Sequence, residues 1–249
     1  MVNVDTVYQR VLAIANKEQR GYITPQEFNL FANQAQMDIF EQYFYDKNQF
    51  NRVPGNDYNY SDPVNMLEEK INIFKVRWAT LNLALIAGVP NTYGHVNLQA
   101  NLPDLYRLGD AMIQAGGHSI KIVEYIPSGK EHILYESNLK TKYSRKNYIY
   151  NRYEDGIRIH PHPLNGKHDI LCNYTRIPNF SDKVEWAYVV VNGYAQYNGP
   201  DSINFEVHPS EENNLVIKIL QLSGVSIKDI GLYQVAAQEE VKDIQQEKQ

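Results

Sequence analysis

The chain holds a single cysteine, Cys172, in 249 residues. One thiol excludes an internal disulfide and any zinc site built from several cysteines. No apolar run approaches about 18 residues, so no membrane-spanning helix is expected. The longest apolar-leaning stretch, Trp78 to Pro90, is interrupted by Thr80, Asn82 and Gly88. The opening Met-Val-Asn-Val-Asp lacks the basic start and apolar core of a signal peptide. With the lone cysteine, this leads to an expectation of folding in a reducing cytoplasm. Positive charge is not in excess: Lys and Arg number 24 against 29 Asp and Glu, a formal charge of -5. A protein that binds nucleic acid with its whole surface is normally basic, so that class is disfavoured. Tandem repeats are missing too, which argues against a repeat architecture.

What is present suits a globular fold. Hydrophobic residues make up 43% and charged residues 21%, enough to build a core. Tyrosine dominates the aromatics, 19 against 8 Phe and 2 Trp, and asparagine is abundant. A tyrosine combines a large apolar body with a polar tip, which suits interfaces that are buried but wet.

Hydrophobic period divides the chain. Val4, Val7, Tyr8, Val11, Leu12 and Ala15 recur at helical steps and form one apolar stripe, with Gly21 as a stop. Thr24-Pro25-Gln26-Glu27 reads as a capping box with proline at the first helical position. The helix after it carries Phe28, Phe31, Ala35, Ile39 and Tyr43 on one face, widened by Phe40 and Phe44. Asp62-Pro63 starts a short helix to about Phe74. From Lys75 to Asn204 the period shifts toward two, with turn signals at Gly116-Gly117, Ser128-Gly129, Asp155-Gly156 and Asn165-Gly166. Trp186 to Val191 reads as a buried strand. Helical spacing returns with Leu215, Val216, Ile219, Leu220 and Leu222, closed by Gly224, and again in a polar-ended last helix over about 229–247.

The fold expected is α+β. N- and C-terminal helices pack together around a central antiparallel β-rich domain of sandwich or barrel-like form. The boundaries expected are 1–74 for the N-terminal helical part, 75–204 for the β-rich domain and 205–249 for the C-terminal helices.

Candidate chemistry is sparse. Gly-x-Ser-x-Gly, His-Glu-x-x-His, a P-loop and Gly-x-Gly-x-x-Gly are all missing. No catalytic residue, cofactor site or metal site is therefore assigned, and no enzyme is expected. His160-Pro161-His162 would place two rings on one side of a strand, with His168 near; an exposed β-edge with proline ending the strand reads as well. Cys172 reads as a small buried residue. Lys140, Lys142, Arg145 and Lys146, interleaved with Tyr143, Tyr148, Tyr150 and Tyr153, are suited to a nucleic-acid backbone or to a solvated strand face or protein interface.

Two segments carry a family resemblance. The first is Val4-Asp5-Thr6-Val7-Tyr8-Gln9-Arg10-Val11-Leu12 followed by Ala15-Asn16-Lys17-Glu18-Gln19-Arg20-Gly21-Tyr22-Ile23-Thr24-Pro25-Gln26-Glu27-Phe28-Asn29. The second is Phe205-Glu206-Val207-His208-Pro209-Ser210-Glu211-Glu212-Asn213-Asn214-Leu215-Val216. Both resemble virion structural proteins of crAss-like tailed phages, and the middle matches in pattern through Leu102 to Leu108. The resemblance implies a head-to-tail connector (adaptor) subunit. It implies a homo-oligomeric ring, a dodecamer if it follows portal symmetry, lodged in the virion neck after synthesis in the host bacterial cytoplasm. Its implied partners are further copies of itself, the portal protein, other tail and ring proteins, and DNA that passes through the channel without sequence-specific binding; no membrane is involved. A heterologous ring contact needs two different patches per subunit. The candidates are Tyr143, Tyr148, Tyr150 and Tyr153 in the Tyr-rich segment, and Tyr233, Val241 and Ile244 on the last helix. The alternatives are a tail-associated receptor- or glycan-binding module and a tail hydrolase.

Overall fold

A computed structural model describes residues 1–17, 23–50, 63–82, 94–115, 119–127, 129–130, 147–154, 156–161, 168–226, 238 and 242. The chain mixes helix and strand and divides into two compact units, one of residues 1–73 with 178–249 and one of residues 74–177.

The first unit is mainly helical. Helix α1 (Val4–Lys17) starts at Asn3, whose side chain accepts the backbone N–H of Asp5 at 2.8 Å and of Thr6 at 3.3 Å. Its stripe is buried as expected at Val4, Val7, Tyr8, Val11 and Ala15. Helix α2 (Pro25–Phe50) opens on the expected capping box. The Glu27 N–H donates to the Thr24 hydroxyl at 3.3 Å, and the Thr24 N–H donates back to the Glu27 carboxylate at 3.0 Å. Helix α3 (Pro63–Asn72) packs on α2. A 3-10 turn, Pro209–Glu211, leads into a C-terminal helix, Glu212–Ser226, which lies against α1 and α2. Gly224 sits inside that helix rather than closing it. Arg10 of α1 reaches Glu212 at 2.9 Å. Lys70 of α3 meets the buried Glu211 at 2.6 Å, and Asn214 satisfies the second oxygen of that carboxylate.

The β-rich domain ends earlier than expected. Residues 178–204 belong with the helices, and the sheet unit stops at Ile177. The cause is a row of amide side chains on α2. Asn29 and Asn33, one turn apart, bind the backbone of Trp186 and Val184, each accepting the N–H and donating to the C=O. Gln36 continues the row to Glu206 and Asn179. The helix thereby offers an extended segment the pairing a neighbouring strand would give. The indole of Trp186 then packs on Tyr8, ring centroids 4.4 Å apart, and donates its N–H to Asp5 at 2.9 Å.

The second unit is built on one sheet. Its strands are β1 (Lys75–Leu81), β2 (Gly94–Asn97), β3 (Leu105–Ala115), β4 (Ser119–Tyr125), β5 (Ile149–Tyr153), β6 (Gly156–His160) and β7 (His168–Arg176), with a single helical turn, α4 (Leu98–Asn101), after β2. The order is β1-β7-β3-β4-β5-β6-β2, antiparallel except for the β4–β5 pair. This is one open sheet, not two packed sheets and not a closed barrel among the described residues. Leu81 on one edge and Val96 on the other share a buried cluster with Ile113, Ile157, Ile159 and Ile170, so the sheet curls around its own apolar face. Gly156 is obligatory where β6 meets β2, since a Cβ there would stand 2.0 Å from the Val96 carbonyl oxygen. Expected hairpins appear as the β3–β4 and β5–β6 pairs; the Asn165-Gly166 turn lies outside the described residues.

Candidate functional site

The two units carry opposite charge. Residues 74–177 hold 13 Lys and Arg against 8 Asp and Glu, and the rest of the chain holds 11 against 21. The overall value of -5 conceals a basic sheet unit and a strongly acidic helical one.

Within the sheet unit three of the thirteen cations, Lys75, Arg77 and Arg107, line one groove. Between Val76 and Ala79 the register of β1 against β7 slips, so that Arg77 and Trp78 oppose Asn173 alone. Between Leu108 and Ala111 the register of β3 against β7 slips at the same level, setting Gly109 and Asp110 against Asn173. Asn173 is therefore flanked by a β-bulge on each side. Bulges bend a strand and re-aim its side chains. Here the result is a groove of about 470 Å3 lined by Lys75, Arg77, Trp78, Arg107, Asp110 and Thr175, among others.

The groove's geometry follows from the double bulge. Trp78 sits at φ 60, the left-handed region that a bulky residue rarely adopts, and the residue is 51% exposed. The Asn173 side chain holds it there by accepting the Trp78 backbone N–H at 3.2 Å. Gly109 lets β3 approach, because a Cβ would come within 2.9 Å of the Asn173 carbonyl oxygen. One row beyond the bulges, Lys75 and Arg107 both pair with Thr175 from opposite sides. Val76, Leu108 and Tyr174 alternate with them toward the core. Three cations thus stand on one face, accompanied by the single carboxylate of Asp110. No ion pair with another described residue holds Lys75, Arg77 or Arg107.

A second feature lies in the helical unit. Strands β8 (Tyr188–Val191) and β9 (Tyr194–Tyr197) form a two-stranded hairpin on an Asn192-Gly193 turn, with φ values of 53 and 83. Positive φ at both turn residues is the pattern whose twist matches a hairpin. Trp186 anchors its base between Tyr188 and Tyr197. The expectation of a buried strand over Trp186 to Val191 fails: Trp186 is buried but precedes the strand, which starts at Tyr188. Val189, Val190 and Val191 are exposed, Val190 at 63%, and Tyr194 is 77% exposed.

The expected interface residues meet different fates. Tyr150, opposite Ile159 across the β5–β6 pair, and Tyr148, just before β5, are buried in one cluster with Ile157 and Ile159; their rings are unavailable to a docking face, which corrects the expectation. Tyr153 lies against Arg158, the guanidinium 3.7 Å from the ring centroid. Tyr143, Tyr233, Val241 and Ile244 lie outside the described residues, as do Lys140, Lys142, Arg145 and Lys146.

His160 is buried, and β6 is an interior strand, so the exposed-edge reading of His160-Pro161 is corrected. His162 and the His168 side chain lie outside the described residues. Among the described residues no three His, Cys, Asp or Glu side chains gather as a metal site. Cys172 is buried as expected, and burial pushes its thiol up to about 11. No helix among the described residues is long and apolar enough to cross a membrane.

Sequence reasoning missed both features now described. Asn192-Gly193 between Val189-Val190-Val191 and Tyr194 was a legible hairpin signal. The bulges had no local signal beyond Gly109, because Lys75, Arg77 and Arg107 converge only through strand register.

No protein-family model matches the chain, and no curated protein matches it.

Proposed function

We propose that this chain is a virion structural protein of a tailed phage, a ring-forming head-to-tail adaptor that joins the portal to the tail and lines the DNA channel. The observation that carries the reading is the charge split: a basic unit and an acidic unit on each copy. A ring closes through a heterologous contact, which needs two different and complementary patches on every subunit. Opposite charge on the two units supplies that complementarity, and attraction between neighbours would bring them into register. The exposed β8–β9 hairpin supplies an apolar contact that a solitary soluble subunit has no use for. Packing of the terminal helices as one docking body beneath the portal, and a count of twelve copies, belong to the same proposal. DNA passes such a ring without sequence-specific binding.

The test is a reconstruction of the virion neck together with co-sedimentation of the chain with portal. Density for the chain as a ring below the portal is the expected result. Finding the chain away from the neck, or absent from purified particles, overturns the reading in favour of a tail-associated binding module or hydrolase.

A further inference from the structure

We propose that the double-bulge groove of the sheet unit grips single-stranded nucleic acid, with phosphates on Lys75, Arg77 and Arg107 and one base stacked on the Trp78 indole. The inference is independent of the adaptor reading and rests on the groove alone.

Three features of the groove select this ligand. Its charge calls for an anion: three cations face one carboxylate, none of the cations held by another described residue. Lys75 and Arg107 flank the Thr175 hydroxyl across three strands, and Arg77 lies on the same face two residues along β1. Cations and a hydroxyl so arranged meet successive phosphates of a backbone and carry no base specificity.

Trp78 calls for a flat partner. A positive φ at tryptophan is strained backbone, and such outliers gather where a side chain must be presented. Here the strain keeps a large apolar ring in solvent at the lip of a cationic groove, held from behind by Asn173. An acidic peptide would use the cations and leave the indole idle. A nucleobase uses both, since stacking on an aromatic ring is tolerant of base identity.

Strandedness follows from the same ring. A duplex keeps its base faces stacked inside, so the indole reaches one only where the strand is unpaired. The groove's volume, about 470 Å3, is on the scale of a nucleotide or two rather than of a duplex. The elements that form it are strands of one sheet, so the site is preformed.

The experiment uses the full chain and a fluorescein-labelled oligothymidylate, read by anisotropy across a salt titration. Binding should weaken with salt, with a slope of roughly 2 for three single-strand phosphates. Arg77→Ala with Arg107→Ala should lower affinity at least tenfold and flatten that slope. Trp78→Asn, chosen because asparagine tolerates positive φ, should lower affinity roughly tenfold at unchanged slope. Circular dichroism matching the parent shows that each variant is folded. Duplex of the same sequence and poly-glutamate serve as rivals. The proposal is overturned if either rival binds as tightly as the single strand, or if affinity survives the double arginine change or the Trp78 change in folded protein.

Discussion

The side-chain amide of Asn29 does for Trp186 what a neighbouring strand would do, accepting its backbone N–H at 2.8 Å and donating to its carbonyl oxygen at 3.4 Å. Asn33 repeats the arrangement one turn later with Val184, at 3.0 and 2.8 Å. These four bonds fix residues 184–186 to α2 and so decide where the helical unit ends.

Replacing both asparagines by leucine should therefore destabilise the helical unit. Each change leaves a backbone donor and acceptor at a partly buried site unsatisfied, at about 1–3 kcal/mol per site. Urea unfolding should show the midpoint falling for each single variant. The double variant should lose close to the sum, since the two clasps hold different residues. A double variant as stable as the parent would remove the clasp as the reason for the boundary.

The capping box at α2 gives a pH-dependent prediction. The backbone N–H of Thr24, then its hydroxyl, hold the Glu27 carboxyl below its ordinary value. A depressed carboxylate contributes stability that is present above its unfolded pKa and is lost as pH falls through the folded one. Thr24→Ala should cost about 1 kcal/mol at neutral pH. The gap between variant and parent should narrow as pH drops below about 4. A gap that stays constant down to acid pH would show that Glu27 takes no part in the cap.

Cys172 sets an alkaline limit on the sheet unit. Burial raises its thiol from 9.0 to about 11. A raised group contributes fully below the unfolded value, and its contribution is lost as pH climbs through the folded one. Thermal unfolding of the parent should thus decline between pH 9 and 11. Tyr174, likewise raised by burial and by its bond to Asp104, extends the decline toward about 12. Cys172→Ala should start lower at neutral pH, because it leaves a small cavity, and fall less steeply over the first window. Parallel curves for parent and variant would sink the assignment.

What could be read from the sequence was local. The capping box, the α1 stripe, the start of α3 and the switch from helical to strand period all depend on residues a few positions apart. Their energetics are largely settled by nearest neighbours. The domain end at Ile177 was not legible, because it depends on amides of α2 pairing with a segment some 150 residues away. Tyr148 and Tyr150 were misplaced for a related reason. Composition marks tyrosine as an interface residue, whereas the pairing of β5 with β6 decides where a given ring lies. The groove was hidden most thoroughly. Asn173 is an ordinary strand residue in sequence and becomes a pivot only when bulges from β1 and β3 meet beside it.

The hairpin carries the prediction closest to the proposed role. A two-stranded ribbon in water is marginal by itself, and an exposed apolar edge invites pairing with another chain. This one is rooted by Trp186 and shaped by Asn192-Gly193, while Val190 and Tyr194 remain exposed. Substituting Val190→Lys with Tyr194→Lys should change stability by no more than about 0.5 kcal/mol, as expected for surface positions. Association should fail nonetheless, because two like charges would have to be buried unpaired in the contact. Sedimentation velocity with portal present should show the parent entering a large complex and the double variant remaining a folded monomer. The charge split predicts the complementary behaviour with salt. If unlike units attract across the subunit contact, the rate of assembly should fall as ionic strength rises, while an apolar hairpin contact once formed should resist it. A variant that assembles as well as the parent would leave the hairpin without a part in the ring. Assembly indifferent to salt would leave the charge split without one.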